Sequence, residues 1–375
     1  MRKFIIITIL LLSVLLLNAQ YFGRNKIQNT KEEWSQIATI HFDIYFPAGN
    51  DDFGKLISVV AEDAYYYLRE SFTTPLRVRI PIIVYSSQQD FMTTNVINSL
   101  LSEGVGGFTE SYKNRVVVPF NGSYKDLEDV LTHELTHAYI NALDHQGFLK
   151  GSYGSTNSRL PFWFVEGLPE FLSLVGEDKY NDMFILDQIL NDRLQPMENV
   201  GGYFAYRQGD SFLNYINKEY GREKVMELFY AFRNQADADK IAKSLFGMTF
   251  EDLELSWKNY LKREYLPVLT TMQMPYEVSE RLTDYKSQGG SRNYGGKISP
   301  DGSNYIYFTD RNWRQSVWLG SFYEPGKNNK KIFTGEATGK FEGFNYDKNN
   351  LCWFPDGESF AFVAKTSDKD KIYFM

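Results

Sequence analysis

The chain has 375 residues, 43% hydrophobic and 23% charged, a composition that excludes intrinsic disorder and leaves room for two folded domains. Its formal net charge of -7, with no clustered basic stretch, excludes a nucleic-acid footprint. A single cysteine, Cys352, leaves no internal disulfide, so stability comes from packing, with a bound metal as the other reinforcement available.

The first twenty residues, MRKFIIITILLLSVLLLNAQ, read as a secretory leader. Arg2 and Lys3 precede an apolar run, and small Ala19 suits cleavage. The run falls short of the roughly 20 residues a spanning helix needs, so no stable transmembrane anchor is expected. The expected boundaries are a signal peptide over 1–19 and a mature chain from Gln20, periplasmic or secreted. No cysteine follows the cleavage site to carry a lipid.

Alternation over 37–46 predicts a strand, helical spacing follows over 51–72, and a second strand over 77–85 closes a strand, helix, strand unit. A short polar helix is expected over 88–101. The glycine-rich turn GVGG at 104–107 then leads into a hairpin: 108–111, a turn at Lys113-Asn114, and 115–118. From 123 to about 143 the signal is helical. Ser123 and Asp126 read as a capping box, and Leu127, Leu131, Leu135, Ala138 and Ala142 form one apolar stripe. Further helices are expected over 167–174, 183–194, 208–220, 222–233 and 250–265. The fold class is therefore α+β: a small N-terminal sheet, then a mostly helical part, together 20–275.

Composition changes after Pro275. A linker over 276–296, containing SQGGSRNYGG, gives way to short aromatic strands over 297–375. There 299-SPDGSNYIYFTD-310 recurs as 354-FPDGESFAFVAK-365, each a Pro-Asp-Gly turn feeding an alternating strand.

The stretch 131-LTHELTHAYI-140 carries chemistry. Residues four apart on a helix are rotated by about 40° and separated by about 6 Å of rise, so His133 and His137 can converge on one point. Neutral imidazoles suit zinc, and a catalytic site takes three protein ligands with the fourth position left for water. Glu134 is placed beside the metal, where a general base for that water belongs. Two partly buried histidines bonded to backbone would satisfy the same spacing, so a third ligand decides. His145 lies too far round. The metzincin positions for glycine and histidine hold Ile140 and Leu143. Downstream, 161-PFWFVEGLPEFLS-173 offers Glu166 and Glu170 among apolar residues, where an unpaired carboxylate is costly. Zinc explains Glu166 directly. Glu170, one turn on, could accept a hydrogen bond from a ligand histidine and fix its tautomer, with a solvent-exposed carboxylate as the alternative.

With these residues the sequence resembles the gluzincin metallopeptidases, which carry HExxH on one helix and W-x-x-E-G-x-x-E/D on the next. The matching residues are His133, Glu134, His137, Trp163, Glu166, Gly167 and Glu170, within a loose resemblance over 35–265. It implies one zinc per chain held by His133, His137 and Glu166, Glu134 as base, and a peptide or protein substrate. Position 169 departs from it, being proline where a small residue is usual. Proline belongs in a helix's first turn, so this helix is expected to begin near Glu166 or bend there.

The segment 206-YRQGDSFLNYI-216 is similar to the Y-x-x-G segment of related aminopeptidases, which implies Tyr206 as an oxyanion donor with Tyr203 behind it. The resemblance also implies that Gly107, Phe108 and Thr109 form a substrate-binding edge strand that pairs with extended peptide, and a plain hairpin strand is the alternative. Glu110 reads as a solvated strand charge rather than an anchor for a substrate amino terminus. The Pro-Asp-Gly repeat resembles TolB-like or WD-like propellers, whose blades could offer a protein partner a surface. Two blades close no ring, so the expectation is a partial propeller in a truncated chain, with a small two-unit β appendage as the alternative.

Two further functions fit the sequence: a catalytically idle scaffold that recruits a partner through the repeat, and a zinc hydrolase acting on something other than peptides.

Overall fold

The computed structural model describes residues 33–97, 101, 104–110, 113–145, 160–174, 178–335, 341, 344, 350–366 and 369–375. The leader, 1–19, and Gln20 lie outside the described residues. Two compact units are formed, one up to Val268 and one from Leu269 to Met375. No helix among the described residues is long and apolar enough to cross a membrane.

The first unit is a small mixed sheet followed by helices. Strands β1 (Trp34–Ala38) and β2 (Phe42–Pro47) pair antiparallel, so the single strand expected over 37–46 is two strands and a turn. The Thr39 amide donates to the Phe42 carbonyl at 2.9 Å, and the Thr39 hydroxyl accepts from the Phe42 amide at 3.0 Å. This local bonding competes with a continuous ladder and closes the turn.

Helix α1 (Asp51–Phe72) crosses from β2 to β3 (Ile80–Tyr85), which pairs parallel with it, as a parallel pair requires. Its stripe Phe53, Ile57, Ala61, Ala64, Leu68 and Phe72 is buried. A Cβ at Gly54 would lie 2.3 Å from the Phe46 ring, so only glycine lets the helix rest on β2. It ends where Thr73 turns left-handed at φ 55°.

Strands β4 (Phe108–Glu110) and β5 (Arg115–Pro119) complete the sheet in the order β1-β2-β3-β5-β4. Between β3 and β4 the described part of the helix expected over 88–101 is one turn, Gln88–Phe91, in which Phe91 is buried, and residues 98–100 lie outside the described residues. The helices α2 (Tyr124–His145), α3 (Phe162–Ser173), α4 (Lys179–Leu190), α5 (Tyr203–Tyr220), α6 (Arg222–Asn234), α7 (Ala238–Phe246) and α8 (Phe250–Leu269) follow. Helix α7 has no counterpart in the sequence reading, and α5 starts five residues earlier than read there. Helices α1 and α2 pack on the sheet and on each other.

Helices α3 and α5 meet backbone to backbone. A Cβ at Gly167 would lie 2.6 Å from Gly209 Cα, and one at Gly209 would lie 2.3 Å from the Trp163 carbonyl oxygen. Around this crossing Trp163 packs against Phe212 at 5.3 Å and Phe232 at 6.0 Å between ring centroids. The contact makes a prediction with an unusual sign. In an unconstrained helix Gly209→Ala would stabilise by about 1 kcal/mol. Here the new methyl meets backbone that cannot yield without separating the helices, and we expect a loss of roughly 3 kcal/mol. Chemical denaturation checks it, and a net stabilisation would show slack at the crossing.

In the second unit β6 (Asn293–Ile298), β7 (Asn304–Thr309), β8 (Ser316–Ser321) and β9 (Lys330–Thr334) form an antiparallel sheet in chain order, and β10 (Leu351–Trp353), β11 (Phe360–Thr366) and β12 (Lys369–Phe374) form another. Strand β6 begins inside the stretch expected as linker. The two Pro-Asp-Gly turns are equivalent: Gly302 and Gly357 take φ of 74° and 69° and donate to the carbonyls of Ser299 and Phe354. Each feeds the strand predicted for it, β7 or β11. Ile306, Phe308, Val317, Leu351, Phe360 and Phe362 share one core. Among the described residues the two sheets, of four and three strands, do not close into a propeller.

Candidate metal centre

Helix α2 carries the HELTH residues and is built from its N-terminus. Ser123 Oγ accepts from the Asp126 amide at 3.2 Å, one half of the expected capping box. The reciprocal half runs through a third residue. The Ser123 amide donates to Asn121 Oδ1 at 2.9 Å, and Asn121 Nδ2 donates to Asp126 Oδ2 at 2.8 Å. The stripe Leu127, Leu131, Leu135, Ala138 and Ala142 is buried, which turns His133 and His137 toward a cleft. The helix continues through His145, two residues past the expected end.

Helix α3 begins at Phe162 behind an extended Pro161, four residues before Glu166 rather than at it. Pro169 therefore lies inside the helix, not in its first turn, and the bond it would have donated to the Val165 carbonyl is missing. Burial of Trp163, Phe164, Leu168, Phe171 and Leu172 supplies the packing that holds the turn together.

The two helices bring three ligand atoms to one point. His133 Nε2 and His137 Nε2 are 3.2 Å apart, and Glu166 Oε2 lies 3.4 Å from His137 Nε2 and 4.0 Å from His133 Nε2. Among the described residues this is the one such group of histidine, cysteine and carboxylate ligands. A tetrahedral zinc with bonds of 2.0–2.1 Å holds its ligand atoms about 3.3 Å apart. Glu166 Oε2 is also buried without a hydrogen-bond partner, a condition that a cation relieves. The residues fit zinc.

The surrounding electrostatics suit the same ion. Burial, then the neighbouring His137 and Arg207, hold His133 well below the usual histidine range, so it is neutral and able to coordinate. For His137 burial acts in the same direction, but Glu166, Glu134 and Glu170 outweigh it and raise its pKa. Glu134 is 6% exposed. Burial, with some help from Glu166 and Glu170, pushes it up to about 6 against the opposing pull of His137 and a Thr109 hydrogen bond. A carboxyl group near that value is matched to accepting and returning a proton near neutrality.

Tyr206 lies on α5 with its ring 5.9 Å from that of His133 and nearly parallel to it. Burial and then the charge of Glu166 raise its pKa, so its hydroxyl remains a donor. Tyr203 is more exposed and accepts from Arg207 Nε at 2.7 Å. Glu170 is raised by burial, which the charge of Arg207 partly offsets. The expected hydrogen bond between Glu170 and a ligand histidine is not formed, and Arg207 is its neighbour of opposite charge.

The strand beside the site is more engaged than its sequence suggests. Thr109 Oγ1 lies 2.7 Å from both the main-chain oxygen and Oε2 of Glu134. Gly107 stands against the Glu134 stem, and Phe108 packs on Phe91 with centroids 5.6 Å apart. Glu110 is neither solvated nor free, because Arg115 Nε donates to it at 2.7 Å across the hairpin. The turn expected at Lys113-Asn114 is formed, with Asn114 at φ 52°, and its bond to the Ala138 carbonyl at 2.8 Å is what the sequence reading did not foresee.

It missed Arg207 and Asp210 as well. Arg207 donates to Asp178 Oδ2 at 3.2 Å. Asp210, one turn beyond Tyr206, accepts from Asn181 at 2.5 Å and Asn214 at 2.8 Å. Burial, with the charges of Glu170 and Asp178, pushes Asp210 up to about 7 despite the Asn181 bond. Its unfolded value is near 3.9, so the folded state keeps the proton longer than the unfolded state does. Stability therefore falls as pH rises between those values and levels off above 7, a difference on the order of 4 kcal/mol. Asp210→Asn removes the ionisation, and turning over the Asn181 amide, whose Nδ2 faces Asp210 in wild type, lets its partnerless Oδ1 accept from the new amide. We expect the variant to be more stable than wild type at pH 8 and to lose that advantage toward pH 4, in thermal melts across pH. An advantage independent of pH would show that Asp210 ionises freely.

No family model and no curated protein matches the chain. Among solved structures it is similar to an M1 zinc metallopeptidase from Deinococcus radiodurans, at 11% identity and a TM-score of 0.32 over 61% of this chain and 51% of that one. It is also similar to Legionella pneumophila aminopeptidase A in complex with aspartic acid, at 12% identity and a TM-score of 0.36 over 82% of this chain and 36% of that one. The chain spans about half the length of the first and about a third of the second.

Proposed function

We propose that the chain is an exported zinc metallopeptidase of gluzincin type that hydrolyses peptide bonds without a covalent intermediate. The observation that carries this reading is the convergence of His133, His137 and the partnerless Glu166 Oε2 at tetrahedral spacing beside a buried carboxyl group. Zinc held by these three residues supplies a Lewis acid that activates water and polarises a carbonyl. Glu134 takes the proton from the attacking water and returns it to the leaving amine. Tyr206 donates its hydroxyl to the oxygen on which negative charge develops.

The cleft that holds these residues has a volume of roughly 1250 Å³, above the usual range of about 300–1000 Å³ for small-molecule sites. That size supports a peptide or protein as substrate. Among the described residues strand β4 pairs with β5 on one side only, and its other edge suits an extended backbone along Gly107, Phe108 and Thr109. Export through a leader cleaved after Ala19 follows from the first twenty residues. The second unit, with equivalent turns at Gly302 and Gly357, is read as propeller blades offering a protein partner a surface.

Metal analysis coupled to a peptide-library digest tests the proposal. The expected result is about one zinc per chain and cleavage of peptides that stops with a chelator and returns with zinc. A purified chain that binds no zinc overturns it, and a metal-loaded chain that cleaves no peptide turns the reading toward another substrate or an idle scaffold.

A further inference from the structure

We infer that the segment 107–109 is the seat of the general base: Thr109 and Gly107 are positioning residues that hold the Glu134 side chain in one orientation. This rests on the peptidase reading above and gives the two residues a task separate from contact with substrate.

Two independent contacts carry it. Thr109 Oγ1 is 2.7 Å from Glu134 Oε2, the length of a charge-assisted bond. A hydroxyl has one proton to donate, and a carboxylate oxygen is a stronger acceptor than a main-chain oxygen already used by the helix. The bond engages Oε2, so a proton arriving from water falls to Oε1. The second contact is steric. A Cβ at Gly107 would lie 3.1 Å from Glu134 Cγ, 3.1 Å from a Val130 methyl and 3.0 Å from a Val118 methyl. Glycine leaves just enough room for the Glu134 stem, which is walled in by β4, β5 and its own helix. Gly107, just before β4, and Thr109, within it, thus meet the same side chain.

The hairpin is also tied to α2 at its far end. Asn114 Nδ2 donates to the Ala138 carbonyl at 2.8 Å, and Asn141 Nδ2 donates to Asn114 Oδ1 at 3.1 Å. The Thr109 and Asn114 attachments meet the helix one turn apart, at the Glu134 side chain and the Ala138 carbonyl. A hairpin held at both ends cannot slide along the helix, and the Thr109 hydroxyl stays within reach of the carboxylate.

The test compares Thr109→Val, Thr109→Ser and Gly107→Ala in the full-length chain. Thr109→Val keeps the shape and removes the donor. It should lower kcat between about 10-fold and 100-fold, the effect of misplacing a reacting group by a fraction of an ångström to an ångström, with KM and zinc content unchanged. Thr109→Ser should recover most of kcat, and Gly107→Ala should lower kcat as Thr109→Val does. Crystal structures of wild type and Thr109→Val give a readout that needs no activity: one Glu134 orientation in the first and more than one in the second. The inference is overturned if Thr109→Val keeps wild-type kcat, if it changes KM alone, if Thr109→Ser falls as far as Thr109→Val, or if Glu134 keeps its orientation in Thr109→Val. A wild type that binds no zinc and cleaves nothing counts against the peptidase reading, while the crystallographic comparison still decides whether 107–109 seats Glu134.

Discussion

Glu134→Gln is expected to abolish hydrolysis while leaving the metal in place. The amide has the size of the carboxylate and still offers an oxygen to Thr109, so helix α2 and the ligand histidines on either side keep their positions. It cannot take a proton from water. General-base catalysis contributes about 10²–10⁴ in rate, and loss of kcat on that scale is expected with zinc content still near one per chain. Metal analysis and single-turnover cleavage of one library-derived peptide check both halves. Activity within a few-fold of wild type would remove Glu134 from the mechanism. Loss of zinc together with activity would show that Glu134 supports the ion rather than the proton transfer.

Glu166→Ala should separate metal binding from folding. It removes a ligand whose Oε2 is buried without a hydrogen-bond partner, so in the absence of zinc the variant is expected to be at least as stable as wild type. With zinc the order reverses. Loss even of an outer partner of a ligand costs about 10–100-fold in affinity, and loss of a ligand should exceed that. Wild type should gain about 4 kcal/mol at a free zinc concentration a thousandfold above its Kd, a gain the variant cannot match. Thermal melts of both proteins with and without zinc read the crossing. Equal zinc-dependent stabilisation of the two would exclude Glu166 from the coordination shell.

Much of the first unit's helical and sheet content was legible in periodicity, and the misreadings share a cause. The turn at Thr39 to Phe42 is closed by side-chain bonding that apolar alternation does not register. After Ser87, over 88–101, the residues are helix-compatible, and among those described Phe91 is the one buried apolar side chain. Helix α3 starts at Phe162 because aromatic burial outweighs the missing bond at Pro169. In each case a contact that the apolar pattern does not register, local at Thr39 and tertiary at helix α3, changed the outcome of the rule. The capping of α2 shows the same on a small scale, since Ser123 and Asp126 are joined through Asn121, a residue outside the motif.

The sequence by itself determined which groups share a helix. A spacing of four puts His133 and His137 on one face, the buried leucines set which way that face points, and Glu134 follows from its place between them. Pro-Asp-Gly likewise determined both turns of the second unit, because proline restricts φ and glycine permits its positive values. Only the tertiary structure decided what meets that helix. Glu166 reaches the histidines from a separate helix, and Gly167 and Gly209 permit the backbone contact that also brings Tyr206 over His133. Thr109 reaches Glu134 across the gap between sheet and helix. The physical reason is range: helical and turn geometry are fixed by bonds a few residues long, whereas the ligand set and the seat of the base depend on how closely separate backbones can approach.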